Sequence, residues 1–217
     1  MNDTPIRYRM KYSKTGNLRF IGHLDTQVMF ERALRRTGLP LRYTQGFNKR
    51  IRLNLASALP LGFISSAEVL DFWLNEPVGE QIILEMLENA LPAEIHVLEV
   101  SLTDNSLPSL QGSLVSSEYE ITLPGNIAGE LFEQKLDQLL AQPKVSVTRR
   151  NKIIDYKPLI LEYEFRKDSS DNSVVYFKLS SSPAGNARPD DILELLGIDP
   201  ADCVIERTKL NFSTVEK

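Results

Sequence analysis

The chain has 217 residues, 42% of them hydrophobic, which is enough to bury one large core or two small ones. Cys203 is the only cysteine, so an intramolecular disulfide and a zinc site built from cysteines are both excluded. The net charge of −4 conceals an uneven distribution, because residues 1–66 carry +9 and residues 67–217 carry −13. A basic third of this kind indicates a polyanion-binding surface; the alternative is that it docks on the acidic remainder.

The sequence lacks the patterns of an exported or membrane-spanning protein and those of common nucleotide, cluster and metal sites. No apolar run has the length of a signal peptide or a transmembrane helix, which predicts a cytoplasmic protein with no membrane partner. The phosphate-binding patterns GxGxxG and GxxxxGK[ST] and the cluster-binding pattern CxxxCxxC are absent. With two histidines and one cysteine, the chain is predicted to hold no metal and no cofactor.

The first predicted element is a strand at residues 5–12, where apolar and cationic side chains alternate strictly. Successive side chains of a strand point to opposite faces, so one face should lie against a core and the other in solvent. Three cations on one face are not expected to be buried. These cations are Arg7, Arg9 and Lys11.

A helix is predicted next, with Gly22 as its N-cap and Gly38 after its last residue, Thr37. At 100° per residue its apolar side chains fall on one side and its arginines on the other. A β-hairpin should follow, with residues 41–45 and 50–57 as its arms. The second arm again places its cations on a single face.

The remaining elements complete two similar halves. The first half continues with a predicted strand at residues 67–74, a helix at about 79–90 and a strand at 94–102. Its order is therefore strand, helix, strand, strand, helix, strand, which is that of a ferredoxin-like domain. The second half repeats this order after a Ser-rich stretch that suits a linker. After a first strand, its predicted elements are a helix at about 127–141, strands near 144–149, 159–166 and 174–180, a short helix that begins at Pro189, and a strand at 204–212.

The predicted fold is therefore α+β, with two tandem ferredoxin-like (βαββαβ) lobes and antiparallel sheets. The predicted domains are a basic N-terminal lobe, residues 1–103, and an acidic C-terminal lobe, residues 116–217, joined by the linker 104–115.

His23 and Asp25 form a candidate catalytic pair, because a histidine close to a carboxylate can act as a proton shuttle. At a helix start, however, residues i and i+2 point about 200° apart, so Asp25 is poorly placed to orient His23. No nucleophile elbow of the GxSxG type accompanies the pair. A structural role for His23 is therefore the alternative to catalysis.

A stronger signal comes from cationic, aromatic and polar side chains that a ferredoxin-like fold would bring onto neighbouring elements. Arginine predominates, and its guanidinium group binds phosphate oxygens in pairs and stacks on base faces. Tyr8, Tyr43 and Phe47 are candidates for stacking bases, although no segment matches the aromatic pattern of an RNA-recognition motif. The predicted nucleic-acid-binding residues are Arg7, Arg9, Arg32, Arg35, Arg36, Phe47, Asn48, Lys49, Arg50 and Arg52.

The stretch LRFIGHLDTQVMFERALRRTGLPLRYTQGFNKRIRLNLASALPLG contains four ordered motifs. It resembles the bacterial radical-SAM-linked family of unknown function, whose members occur alone or attached to a cobalamin-binding radical SAM protein. That family typically shows R-F-x-S-H-L-D, E-R-A-x-R-R-x-x-L-P, G-F-x-P-x-P and A-L-P-L-G. The chain departs from it at Gly22, where the family has serine, and at Lys49 and Ile51, where it has prolines.

The resemblance implies an association with radical SAM chemistry, and hence a radical SAM protein as partner. Together with the basic third, it predicts a non-catalytic RNA-binding module that presents tRNA or rRNA to that partner. One alternative is a metal-independent ribonuclease or RNA-modifying subunit that uses His23 as its acid and base. Another is a protein-binding scaffold whose basic third docks on an acidic partner.

Overall fold

The computed structural model describes residues 4–213 except positions 126, 128, 150, 183 and 184. The chain divides into two compact units, which we call the first and the second unit. The first comprises the chain up to Leu114 and from Phe212 onward, and the second comprises Val115–Asn211. Each combines helices with paired strands, so the predicted α+β class is confirmed. No helix in the described part of the chain is long and apolar enough to cross a lipid bilayer.

The first unit has the element order β, α, β, β, α, β, followed by one short helix. The elements are β1 Ile6–Lys14, α1 His23–Thr37, β2 Leu53–Leu55, β3 Ile64–Leu74, α2 Glu80–Ala90, β4 Ile95–Thr103 and α3 Leu110–Ser113. Its strands pair antiparallel in the order β2, β3, β1, β4. The predicted bounds differ from these by three residues or fewer for every element except β2 and α3.

Helix α1 begins and ends where predicted because its caps are encoded locally. Gly22 is extended at the N-cap, and Gly38 ends the helix with a φ of 72°, a left-handed conformation that glycine adopts without steric cost. Phe30 and Leu34 of α1 are buried, and the Phe30 ring meets Tyr12 of β1 edge-on, with ring centroids 4.8 Å apart. Burial of such side chains contributes about 1.5–3 kcal/mol each, so α1 is held firmly on this face of the sheet.

The hairpin predicted with arms at residues 41–45 and 50–57 is confirmed in part, because the Arg52 N–H donates to the Arg42 oxygen and the Thr44 N–H to the Arg50 oxygen. An isolated bridge joins Tyr43 to Ile51, and the regular strand in the second arm is only β2. This strand pairs with β3, where Leu53 lies opposite Phe72. Residues 43–50 are all exposed, so no packing interaction extends the ladder towards the turn.

The stretch 104–115, interpreted from the sequence as a linker, contains α3. Leu110 is fully buried, and Gln111 donates a side-chain hydrogen bond to the backbone oxygen of Leu55. Ser109 caps the helix by accepting a hydrogen bond from the Gly112 N–H at 3.1 Å. Part of this stretch is therefore packed into the first unit.

The second unit combines a sheet with two helices and a separate hairpin. Its elements are β5 Leu114–Thr122, α4 Gly129–Ala141, β6 Ser146–Arg149, β7 Lys152–Asp155, β8 Ile160–Lys167, β9 Ser173–Ser182, β10 Gly185–Asn186, α5 Pro189–Leu195 and β11 Val204–Phe212. Strand β9 pairs with β8, β10 and β5, and β5 neighbours β11. The β6–β7 hairpin corrects the prediction of a single strand near residues 144–149.

Candidate nucleic-acid interface

An exposed loop leaves the sheet of the first unit at residues 43–50, which we call the basic loop. Leu41 and Ile51 are buried on either side of it and fix its base. The loop is closed by the Thr44 N–H, which donates to the backbone oxygen of Arg50 at 2.8 Å. The Arg50 N–H donates in return to Thr44 Oγ1 at 3.1 Å. The loop therefore projects from a packed and hydrogen-bonded base.

The side chains of the basic loop are aromatic and cationic. Phe47 has a relative accessibility of 106%, and Tyr43 is 41% exposed. Lys49 and Arg50 follow Phe47 closely, and no Asp or Glu occurs within residues 32–67. A phenyl ring that stays in water contributes no burial energy to folding. The loop thus presents a large aromatic surface and positive charge together, as the sequence predicted for Phe47, Lys49 and Arg50.

Arg52 extends this surface beyond the loop. Its guanidinium carbon lies 4.3 Å from the centroid of the Trp73 ring. Trp73 itself is only 4% exposed, whereas Arg52 is exposed. An arginine stacked on an aromatic ring keeps its in-plane N–H groups available for phosphate oxygens. Sequence reasoning missed Trp73 because it lies in a largely apolar strand, and only the pairing of β2 with β3 places it beneath Arg52.

The expectation that the cations of β1 lie in solvent is wrong for Arg7, which is 3% exposed. Its Nε and Nη2 atoms donate to Asp71 Oδ2 at 3.0 and 2.5 Å. Its remaining N–H groups donate to the backbone oxygens of Asp104, Leu107 and Pro108. Every N–H of this guanidinium is engaged, so Arg7 has no donor left for a phosphate.

Arg9 and Lys11, the other two cations predicted on this face of β1, also have carboxylate partners. Arg9 Nε donates to Asp71 Oδ1 at 2.8 Å, and 23% of its side chain is exposed. Asp71 is fully buried and pairs with both arginines, but its single negative charge balances only one of their two positive charges. Lys11 is exposed and pairs with Glu99 at 2.7 Å. This arrangement is not visible in the sequence, because the pairing of β1 with β3 decides which residues lie beside Asp71.

The arginines of α1 are exposed, as the helical pattern predicts. Arg35 lies 3.6 Å from Glu31, one turn earlier in the helix. Arg36 donates to the backbone oxygen of Ala90 at the end of α2. Exposed ion pairs of this kind contribute less than about 1 kcal/mol, so the cations of α1 remain accessible to an external anion. They are Arg32, Arg35 and Arg36.

The sheet separates these arginines from Arg52. Helix α1 covers the face that carries Tyr8, whereas Trp73 and Arg52 belong to the opposite face, because Phe72 and Trp73 alternate along β3. The structure therefore does not bring the two groups of arginines onto one face. Tyr8 is 2% exposed and exchanges hydrogen bonds with Val78 through its hydroxyl group, so it is not available to stack on a base.

His23 and Asp25 lie at the first turn of α1, and both are exposed. The Asp25 carboxylate turns towards the N-cap, where a Cβ added to Gly22 would lie 3.6 Å from Oδ2. No hydrogen bond or ion pair joins the two side chains among the described residues. A carboxylate in this position interacts favourably with the positive end of the helix dipole. The geometry of Asp25 therefore fits helix capping.

A small polar cavity lies beside His23. Lys14 and Glu68, each 2% exposed, line it together with Ser57. Lys14 Nζ donates to the backbone oxygen of Ile21 at 3.1 Å, which ties the end of β1 to the start of α1. The cavity volume is about 10 Å³, which has room for about one water molecule. It does not admit a substrate, and no group of described residues is arranged to hold a metal ion.

The second unit has a polar cluster of its own. The Tyr156 hydroxyl donates to Asp191, and Arg149 lies 3.5 Å from the same carboxylate. Burial and, after it, the hydrogen bond to Asp191 raise the pKa of Tyr156, so the hydroxyl keeps its proton at neutral pH. The cluster joins the β6–β7 hairpin to α5, which is a structural role.

Comparison with known protein families finds one family that covers most of the chain. Residues 7–189 match the family described as "Uncharacterized protein conserved in bacteria (DUF2344)". None of the curated proteins compared with the chain matches it. The matched region includes α1, the basic loop and most of the second unit. The chain therefore belongs to the bacterial DUF2344 family.

Proposed function

We propose that this protein is a non-catalytic module that binds single-stranded RNA through the basic loop and Arg52. The observation that carries the proposal is the fully exposed Phe47, which stands beside Lys49 and Arg50 in a stretch without any acidic residue. Stacking of a base on an exposed aromatic ring and pairing of phosphates with neighbouring cations are the two contacts by which proteins hold single strands.

The surroundings of the loop support this proposal energetically. The base of the loop is fixed by Leu41 and Ile51, so little additional backbone ordering is needed when a ligand binds. Arg52 is positioned by its contact with Trp73, and a positioned guanidinium loses less rotamer entropy on binding phosphate. The cations of α1 lie on the other side of the sheet and are proposed as a second, weaker contact for a longer RNA.

We also propose that the two units are both ferredoxin-like lobes. The strand order β2, β3, β1, β4 in the first unit and the order β8, β9, β5, β11 in the second are both compatible with ferredoxin-like lobes. The resemblance in the four motifs adds a cytoplasmic radical SAM protein as the proposed partner. Co-purification of such a partner after nuclease treatment would support direct contact, and loss of it on nuclease treatment would indicate RNA bridging.

The test is a titration of the protein with a single-stranded RNA of about 12 nucleotides at several salt concentrations. Each phosphate contact on a single strand contributes a slope of about 0.7 in log K against log salt. The double variant Lys49→Ala/Arg50→Ala should therefore lower the slope by about 1.4 and weaken binding at low salt. No binding by the wild-type protein at low salt contradicts the proposal.

A matched control removes the same charge elsewhere. Lys144 and Lys152 are exposed in the second unit and form no ion pair with another described residue. The variant Lys144→Ala/Lys152→Ala should leave the slope unchanged if the basic loop forms the contact. An equal loss in both double variants would indicate non-specific attraction. An equally tight complex with an acidic protein, unaffected by nuclease, would favour the scaffold alternative.

A further inference from the structure

A surface cleft lies at the end of the first unit's sheet where β1 begins and β3 and β4 end. Its volume is about 820 Å³, within the range of about 300–1,000 Å³ that is typical of small-ligand sites. Its apolar walls are supplied by Pro5, Ile6, Pro77 and Leu102. Leu102 is 62% exposed in the absence of a ligand, so a flat apolar group in the cleft would gain contact area.

Two asparagines hold the polar walls of the cleft in place. Asn75 donates to the backbone oxygen of Leu41 at 2.9 Å and accepts from Arg42 at 3.2 Å. Asn105 accepts from the indole N–H of Trp73 at 3.1 Å and donates to the backbone oxygen of Pro5 at 2.6 Å. The cleft is therefore preformed, which lowers the entropy lost when a ligand binds.

The same two asparagines connect the cleft to the cationic surface. Asn75 is hydrogen-bonded to Arg42, the residue directly before the basic loop. Asn105 is hydrogen-bonded to Trp73, which lies beneath Arg52. A nucleotide strand whose phosphates lie along Arg52 and the loop would thus pass the mouth of the cleft.

The charge inside the cleft is opposite to that outside it. Glu76 and Asp104 line the cleft, and among its described lining residues the only cation is Arg7, whose N–H groups are all engaged. Glu76 is exposed and forms no hydrogen bond or ion pair with another described residue. A phosphate would be repelled from this lining, whereas a group that presents N–H donors would be attracted.

We propose that the cleft binds one nucleobase of the RNA and that Glu76 selects a base with adjacent N–H donors, of which guanine fits best. The guanine N1–H and N2–H groups lie side by side and match the two oxygens of a carboxylate. Uracil has a single N–H between two carbonyl oxygens, which the carboxylate repels. This inference rests on the proposed function, because it needs an RNA strand held by the basic loop.

The experiment compares four RNA nonamers with uridine at every position but the central one. The central nucleotide is U, C, A or G, so the first of the four strands is all uridine. The phosphates are identical in the four strands, so the difference in affinity isolates the base. The strand with central guanine should bind at least about fivefold more tightly than all-uridine RNA, the lower end of what a bidentate contact discriminates. In Glu76→Gln this ratio should fall to about one, while the affinity for all-uridine RNA stays within about twofold.

Two controls separate the cleft from its surroundings. Glu88→Gln removes the same charge from the exposed side of α2 and should keep the preference for guanine. Leu102→Trp fills the cleft and should abolish the preference, whereas Leu98→Trp, on the same strand but outside the lining, should not.

The possible failures are distinguishable. If no strand binds at low salt, the proposed function itself is wrong. If all four strands bind equally, or if Glu76→Gln keeps the preference for guanine, RNA binding stands and the assignment of the cleft is overturned.

Discussion

Strand β1 and the basic loop carry the same kinds of charged side chain in very different surroundings. In β1, Arg7 and Arg9 converge on the buried Asp71, and the guanidinium of Arg7 has no free N–H group. In the basic loop, Lys49 and Arg50 stand in solvent with no carboxylate nearby in the sequence. One set stabilises the sheet from within, and the other is available to a ligand.

A count of cations in the sequence therefore overstates the positive charge that is available to bind a polyanion. A buried arginine paired with aspartate contributes little to the external field, because its charge is neutralised within a few ångströms. The basic loop and Arg52 keep their charge at the surface, where salt screens it but a polyanion can reach it. Substitutions in the two regions should therefore affect stability and RNA binding differently.

The largest effect is expected for Asp71→Ala. The substitution leaves Arg7 and Arg9 without their carboxylate in the interior, so the free energy of unfolding should fall by about 3–5 kcal/mol. Denaturant titration would measure this loss. A decrease below about 1 kcal/mol would mean that the arginines find other partners or water, and that the contrast between the two regions is overstated.

Phe47→Ala should separate binding from stability most cleanly. Loss of a stacked base is expected to weaken RNA affinity by about 1–3 kcal/mol, whereas the unfolding free energy should change by less than about 0.5 kcal/mol because the ring is fully exposed. Phe47→Trp should restore affinity. Unchanged RNA affinity in the alanine variant would remove Phe47 from the interface.

Arg52→Ala should affect both properties, since Arg52 lies over Trp73 and also faces solvent. Loss of the cation–π contact should lower stability by about 0.5–1 kcal/mol, and loss of one phosphate contact should lower the salt slope by about 0.7. Arg52→Lys keeps the positive charge, so it should restore the salt slope of RNA binding more fully than it restores the contact with Trp73. A loss of stability with an unchanged slope would assign Arg52 to the fold alone.

The smallest effect is expected for Lys11→Ala. Lys11 is exposed and pairs with Glu99 at 2.7 Å, and such surface pairs contribute less than about 1 kcal/mol to stability. RNA affinity should be unchanged as well, because Glu99 already neutralises the charge. A marked loss of RNA affinity in this variant would show that β1 belongs to the interface and that the comparison of the two regions fails.

Those elements whose limits are encoded locally could be predicted from the sequence. Helix α1 matches its prediction at both ends because Gly22 and Gly38 mark them, and α5 begins at the predicted Pro189. The strand predicted at residues 50–57 is longer than β2, and β7 was missed, and with it the β6–β7 hairpin. Pairing in these strands depends on which residues find a packed neighbour, and a local pattern does not contain that information.

The candidate site also has a part that the sequence predicts and a part that depends on the tertiary structure. The chemistry of the basic loop is visible in the sequence, since Phe47, Lys49 and Arg50 are adjacent to a glycine turn and far from any acid. The fate of Arg7 and the role of Trp73 were not visible, because they depend on the registers that set β1 and β2 against β3. The cleft lined by Glu76 was missed for the same reason, since its walls come from the ends of three strands that are distant in sequence.

The sequence by itself determined the α+β class, the limits of α1, the basic character of the first third and membership of a bacterial family, because composition, caps and ordered motifs are local properties. Only the tertiary structure decided which cations are free. Strand register brings Arg7 and Arg9 onto Asp71 and leaves Phe47, Lys49 and Arg50 in water. The physical reason is that a charge must be paired when it is buried, and burial is set by contacts between residues far apart in the chain.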